Sequence, residues 1–163
     1  MTINTADEWG TVSHRFTDLV ALLKVKIAVQ TNRLNEASIP STGDAEPGLV
    51  ATIEAAHAIA LASKDLRSAL SAYAHRMRLP RPKVGAIADA QETNAQGLAR
   101  RYSAATLSAL EHLIAGDADA GALMAAFPSL THPEAERLVS GLRGSASAAR
   151  PSASVSAGAS SAS

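Results

Sequence analysis

An all-α fold is what this sequence predicts, and three observations predict it. Hydrophobic residues make up 47% of the 163-residue chain but aromatics only 3%, so alanine and the aliphatic residues must build the core. Alanine loses no side-chain entropy on entering a helix, whereas the β-branched and aromatic residues that favour strands are thinly scattered here. The apolar residues recur at steps of three and four, the period of one helix face, and no segment reads convincingly as a strand. The chain has no cysteine, which excludes disulfides and thiolate metal sites and leaves helix packing or oligomerisation to hold the fold together. That absence suits a reducing cytoplasm, the expected location.

Thr5 or Asp7 can cap a first helix running to about Ala37, with Trp9, Val12, Phe16, Leu19, Val20, Leu23, Ile27 and Leu34 on its apolar stripe. About 30 residues at 1.5 Å each give a rod of roughly 45 Å, which needs a partner of similar length. Residues 39–48 hold two prolines and two glycines and read as a connector. A second long helix is expected from about Leu49 to Arg78, its stripe reading Leu49, Ile53, Ala56, Ala60, then Ile59, Leu66, Leu70, Tyr73 and Met77. The two form an antiparallel helical hairpin. Pro80 and Pro82 end the second helix, because proline lacks an N–H and pushes the preceding residue out of the α region.

Further along, Leu107, Leu110, Leu113 and Ile114 continue a helical pattern over residues 106–115, which Gly116 and Asp117 end. Residues 118–127 and 133–142 predict two more short helices. Pro133 and Glu134 suit a first turn, where a missing N–H costs nothing and a carboxylate meets the positive end of the dipole. From Gly144 onward the chain is Ser/Ala-rich with almost nothing to bury, and a disordered tail is expected over 144–163. The organisation is therefore a hairpin over 1–79 as a possible dimerisation element, a central and C-terminal helical part over 80–143, and the tail.

Met1–Gly10 carries Asp7 and Glu8 and no positive n-region, and no apolar run approaches the ~20 residues a bilayer requires. Neither secretion nor membrane insertion is expected. Net charge is zero, but residues 75–101 hold six Lys/Arg against two Asp/Glu while the segments on either side are acidic. A phosphate responds to local potential more than to the total, so a neutral pI does not exclude nucleic acid.

That basic segment leads into residues 84–102, which read as two short helices joined by a turn. Ile87 and the small Ala88 suit a first helix closely approached by a second. Asn94 is a strong N-cap for the second helix, and Leu98 supplies its apolar anchor. The stretch resembles the helix-turn-helix segments of small DNA-binding proteins common in actinobacteria, on Ile87, Ala88, Ala90, Asn94, Gln96, Leu98, Arg100, Arg101 and Tyr102, about 20 of the 163 residues. Where the pattern has Leu-Gly-Val in the turn, this chain has Gln91, Glu92 and Thr93, losing a core leucine and the glycine that accepts positive φ. The resemblance implies that the second helix enters the major groove of double-stranded DNA with Asn94, Gln96 and Arg100 nearest the bases. Asn and Gln pair bidentately with adenine, and Arg with guanine. Arg76, Arg78, Arg81, Lys83 and Arg101 would then meet phosphates, while Glu92 would oppose them.

A second reading of the same residues stays open. Residues 83–115 also suit one continuous helix with Ile87, Leu98, Ala105, Leu110 and Leu113 buried, the basic run being a solvated surface. The chain is then a non-enzymatic helical interaction or structural module. A helical break at Gln91–Thr93 separates the two.

Other chemistry finds little support. Glu54 and His57 have the spacing of di-iron carboxylate bundles, but no second copy exists. Glu111 and His112 are adjacent and point to different faces. His132, Glu134 and Glu136 are explained by capping more cheaply than by acid–base catalysis. No phosphate-loop, dinucleotide, nucleophile-elbow or zincin pattern occurs. No enzyme, cofactor or metal is expected, and the favoured expectation is a small DNA-binding regulator or mobile-element accessory protein, dimeric through its long helices.

Overall fold

The computed structural model describes residues 13–77 and 84–147. Among them are seven α-helices and one π-helical turn, and no strand. The first two helices are the long pair: α1 spans His14–Glu36, and α2 spans Glu46–Ala72, continuing as a π-helical turn over Tyr73–Met77. Three short helices follow, α3 (Val84–Asp89), α4 (Ala95–Leu98) and α5 (Ala104–Ala115). Then come α6 (Ala120–Ala126) and α7 (His132–Ser147). No helix among the described residues is long and apolar enough to cross a membrane.

The predicted hairpin forms. Phe16 near the start of α1 stacks on Tyr73 just past the end of α2, ring centroids 4.0 Å apart and planes 10° from parallel, which places the two helices antiparallel with their open ends together. The main core sits at that open end. Phe16, Leu19 and Leu23 from α1 meet Ala69 and Ala72 from α2, Leu110 and Leu113 from α5, and Leu123 and Phe127 from α6 and its exit. No member of this cluster lies between residues 24 and 65, because α5, α6 and α7 pack on the open half of the hairpin only.

The second helix differs from its expectation at its start and in its face. It begins at Glu46, so Pro47 and Gly48 lie inside its first turn. Proline is tolerated there because the N–H it lacks has no intrahelical acceptor in any case. Ala55, Ala62 and Ala69 are buried along one line of the helix, with Ile59 and Leu66 half-buried and Asp65, Ser68, Ser71 and Ala72 buried beside them. By contrast Leu49, Ile53, Ala56 and Ala60, expected on the apolar stripe, are exposed, as is Leu70 from the same stripe, and Ile53 keeps 65% of its surface in solvent. At 100° per residue those four lie well away from the Ala55–Ala62–Ala69 line, and small alanines along that line let α1 approach closely. The expected beginning of α1 at Thr5 or Asp7, and its stripe residues Trp9 and Val12, lie outside the described residues.

Caps terminate the short helices as their sequences dictate. The Ser103 hydroxyl accepts the Thr106 N–H (3.1 Å), and the Asp119 carboxylate accepts that of Ala122 (2.9 Å). Gly116 ends α5 at φ +88°, a conformation that strains any residue with a Cβ. A Cβ there would also meet the Arg15 guanidinium, which donates to the Ile114 carbonyl at 2.9 Å and so ties α1 to the exit of α5. The final helix runs to Ser147, into the segment expected to be tail.

One ion pair clamps α7 to the hairpin. Lys26 Nζ lies 2.7 and 2.9 Å from the two carboxylate oxygens of Glu134, both side chains largely shielded from solvent. Glu134 also accepts the Thr131 N–H at 2.8 Å, capping its own helix. Burial by itself would raise the Glu134 carboxyl; the hydrogen bonds from Lys26 and Thr131 and the lysine charge outweigh it and hold the group below its ordinary value.

Candidate nucleic-acid interface

The helical break falls where the two-helix reading requires it. After α3 the chain turns over residues 90–94. The Ala88 carbonyl accepts the N–H groups of Gln91 (3.0 Å) and Thr93 (2.9 Å), and the Asp89 carbonyl accepts that of Glu92 (3.0 Å). Glu92 sits at φ +52°, in the left-handed region. This is the position at which the helix-turn-helix pattern the sequence resembles carries glycine, and the backbone makes the turn without it. A continuous helix over residues 83–115 is thereby overturned, because α3 ends at Asp89, α4 begins at Ala95 and α5 begins at Ala104.

Both expected anchors are buried. Ala88 is 1% exposed and Leu98 fully buried, so the small residue of the first helix and the apolar residue of the second both face inward. Gly97 permits the close return of the chain, since a Cβ there would collide with Thr93 Oγ1. On the outer side, Asn94, Gln96, Arg100 and Arg101 are exposed.

Two details depart from the expected groove-reading helix. The second helix is a single turn, Ala95–Leu98; beyond it Arg100 N–H bonds to Gly97 O (3.1 Å) and Arg101 N–H to Leu98 O (3.0 Å), so both arginines lie in a tighter coil that follows the helix. Asn94 Oδ1 accepts the Gly97 N–H at 2.7 Å. A bidentate pair between Asn94 and adenine would have to share Oδ1 with that cap and keep the side chain in its orientation, whereas no hydrogen bond among the described residues commits Gln96 in this way.

The unit is fastened to the hairpin at its far end by a hydrogen bond between Tyr102 Oη and His75 Nδ1, with the rings edge to face. Arg76, beside His75, is exposed. The other expected phosphate contacts Arg78, Arg81 and Lys83 lie outside the described residues. Arg101 leans back toward the turn, Nη2 3.5 Å from the Gln91 carbonyl. Carboxylates are also present on this surface, as Asp89 and Glu92 are both exposed.

A cationic side chain the sequence did not single out joins Arg100 and Arg101. Lys64 on α2 lines the same cleft as both arginines. Nothing local in the sequence marks it, because the juxtaposition depends on how the turn after α4 packs against the hairpin. The other titratable candidates remain apart. Glu54 and His57 are exposed on α2, His112 pairs with Asp117 at 3.1 Å, and His132 lies 3.9 Å from Glu136 within its helix. Among the described residues no three His, Asp or Glu side chains gather as metal ligands would.

Compared with protein-family models, curated proteins and solved structures, the chain matches none. The functional reading therefore rests on its own residues.

Proposed function

We propose that the chain binds double-stranded DNA through residues 84–102, as a small cytoplasmic transcriptional regulator or mobile-element accessory protein. The observation that carries this reading is the left-handed turn at Glu92 set between the buried Ala88 and Leu98. A backbone that accepts strain to make this turn, where a straight helix costs less, favours a helix-turn-helix over a mere packing helix. Gln96 and Arg100, exposed on the outer side, are the base-contacting candidates, with Asn94 chiefly a cap. Arg76 and Arg101 are the described phosphate contacts, joined by Arg78, Arg81 and Lys83. A one-turn reading helix discriminates poorly alone. A dimer through the long helices doubles the contacts at half-sites ~34 Å apart. The exposed Val25, Val29, Leu49, Val50 and Ile53 on the hairpin support that association.

Affinity for a random duplex, followed by fluorescence anisotropy, is expected to fall with salt at a log–log slope of about −0.9 per phosphate contact. Arg76→Gln, Arg78→Gln and Arg81→Gln together flatten that slope. Gln96→Ala or Arg100→Ala instead relaxes sequence preference by ~1–3 kcal/mol. A slope unchanged in the triple variant removes those arginines from the interface.

A second reading, a helical adaptor, is favoured by the same exposed apolar residues. It predicts capture of a protein partner by the hairpin and no salt-dependent duplex binding at all.

A further inference from the structure

Beside the one-turn helix α4 lies a cleft of about 340 Å³ with an unusual set of walls. Lys64 and Ser68 come from α2, Arg100 and Arg101 from the coil after α4, and Ser103 and Thr106 from the first turn of α5. Lys64, Arg100 and Arg101 take part in no ion pair among the described residues. Three unpaired cations around one small cleft sum to a local positive potential that an anion relieves.

The N-terminal turn of α5 reinforces this sign, and one carboxylate opposes it without cancelling it. α5 is twelve residues long, and Ser103 Oγ takes only its Thr106 N–H. The N–H groups of Ala104 and Ala105 have no intrahelical acceptor and contribute the positive end of the helix dipole. The carboxylate on the wall, Asp65, is buried and engaged by the Ser129 N–H at 2.8 Å. Ser68 Oγ donates to Thr106 Oγ1 at 3.3 Å, a long contact that Ser68 can exchange for a ligand oxygen, while Thr106 Oγ1 also bonds Ser103 Oγ at 3.0 Å. The volume lies at the low end of small-ligand pockets, about 300–1,000 Å³, enough for a phosphate with its sugar.

We propose that this cleft binds a phosphate ester through Lys64, Arg101 and the first turn of α5, with Arg100, which also lines it, left to the neighbouring base. Its favoured source is the DNA backbone next to the bases met by Gln96, and in naming that source the proposal rests on the DNA-binding reading. Its chemistry does not. With a duplex bound, Lys64 makes the hairpin itself a phosphate contact and sets the register of the reading turn on the strand.

The test titrates the isotope-labelled full chain, at low salt, with a random duplex, with deoxyadenosine monophosphate and with inorganic phosphate, following amide shifts by NMR. Residues 103–106 are expected to shift with all three probes. Lys64 is exposed, so Lys64→Gln leaves the core intact; it abolishes the small-ligand shifts and lowers the salt slope for the duplex by about 0.9 while sequence preference stays unchanged. Lys64→Arg restores both. If the duplex fails to bind but the mononucleotide produces Lys64-dependent shifts, the DNA reading falls and the cleft stands as a site for a free phosphate ester. If the duplex binds with the same slope in Lys64→Gln and neither small ligand moves these amides, the cleft proposal is overturned while DNA binding survives. If no probe binds, both are overturned.

Discussion

Gln91 reaches from the turn into the hairpin and donates a 2.9 Å hydrogen bond from Nε2 to the hydroxyl of Ser71 on α2. Ser71 is completely buried. The other end of the same amide, Gln91 Oε1, is buried without a partner. A polar side chain thus occupies the place where the pattern the sequence resembles has leucine, and its amide is only half satisfied. An unsatisfied buried acceptor costs ~1–3 kcal/mol, whereas replacing both members of a buried polar pair by apolar groups is close to neutral or stabilising.

It follows that Gln91→Leu combined with Ser71→Ala raises stability by about 1 kcal/mol. Gln91→Leu alone gains less, because the Ser71 hydroxyl then loses its donor. A urea-denaturation double-mutant cycle is expected to show that coupling. Additive effects, or a double variant weaker than the parent, would mean the pair is not a shared polar contact.

The turn at Glu92 makes an opposite kind of prediction. Left-handed backbone costs a residue with a Cβ ~1–2 kcal/mol, of which glycine gives back ~0.5–1 in unfolded-state entropy. Glu92→Gly is therefore expected to raise Tm by about 1–4 °C, and by removing a carboxylate from the proposed interface also to tighten duplex binding at low salt. Glu92→Val, β-branched in the same conformation, lowers Tm. Equal melting of all three forms in calorimetry would argue that residue 92 does not hold this conformation in solution.

Asn94 has two possible duties that one pair of substitutions separates. Asn94→Asp keeps an Oδ acceptor for the Gly97 N–H, so stability is retained. Asn94→Ala loses the cap at a cost of ~1 kcal/mol. If the residue also meets a base or phosphate through Nδ2, Asn94→Asp weakens duplex binding at full stability; if capping is its whole role, the loss of binding tracks the loss of stability across both variants.

The Lys26–Glu134 pair gives the fold a pH dependence. Because the folded-state carboxyl is held below its ordinary value of 4.5, the folded chain binds fewer protons than the unfolded one as that group titrates. The contribution is present in full above pH 4.5 and is lost as pH falls through the folded-state value. Glu134→Gln is expected to cost about 1.5–3 kcal/mol at neutral pH, and to shrink the stability difference between pH 7 and pH 3 measured by chemical denaturation. An unchanged difference would place the acid sensitivity elsewhere.

Much of this architecture was legible from composition and spacing. The alanine content, the three-and-four periodicity of Phe16, Leu19 and Leu23, and the positions of Gly116 and Asn94 specify helices and their ends through interactions within a few residues, which a single sequence displays. The break between α3 and α4 was legible too, as one of two open readings. What neighbouring residues could not decide is which side of a long helix turns inward. Leu49 and Ile53 are as hydrophobic as anything on α2, yet the small Ala55, Ala62 and Ala69 face α1, because backbone approach, not side-chain hydrophobicity, selects the contact line.

Sequence alone determined the helices and the strong caps, since capping and helical propensity act over one or two turns. Tertiary structure decided that Glu92 takes a left-handed conformation, that Gln91 bonds Ser71, and that Lys64 joins Arg100 and Arg101. Each of these depends on groups 20 or more residues apart meeting when the turn packs on the hairpin, or on strain that the surrounding contacts of Ala88 and Leu98 hold in place. Local chemistry cannot anticipate such meetings, because their free energy exists only once the two surfaces are brought together.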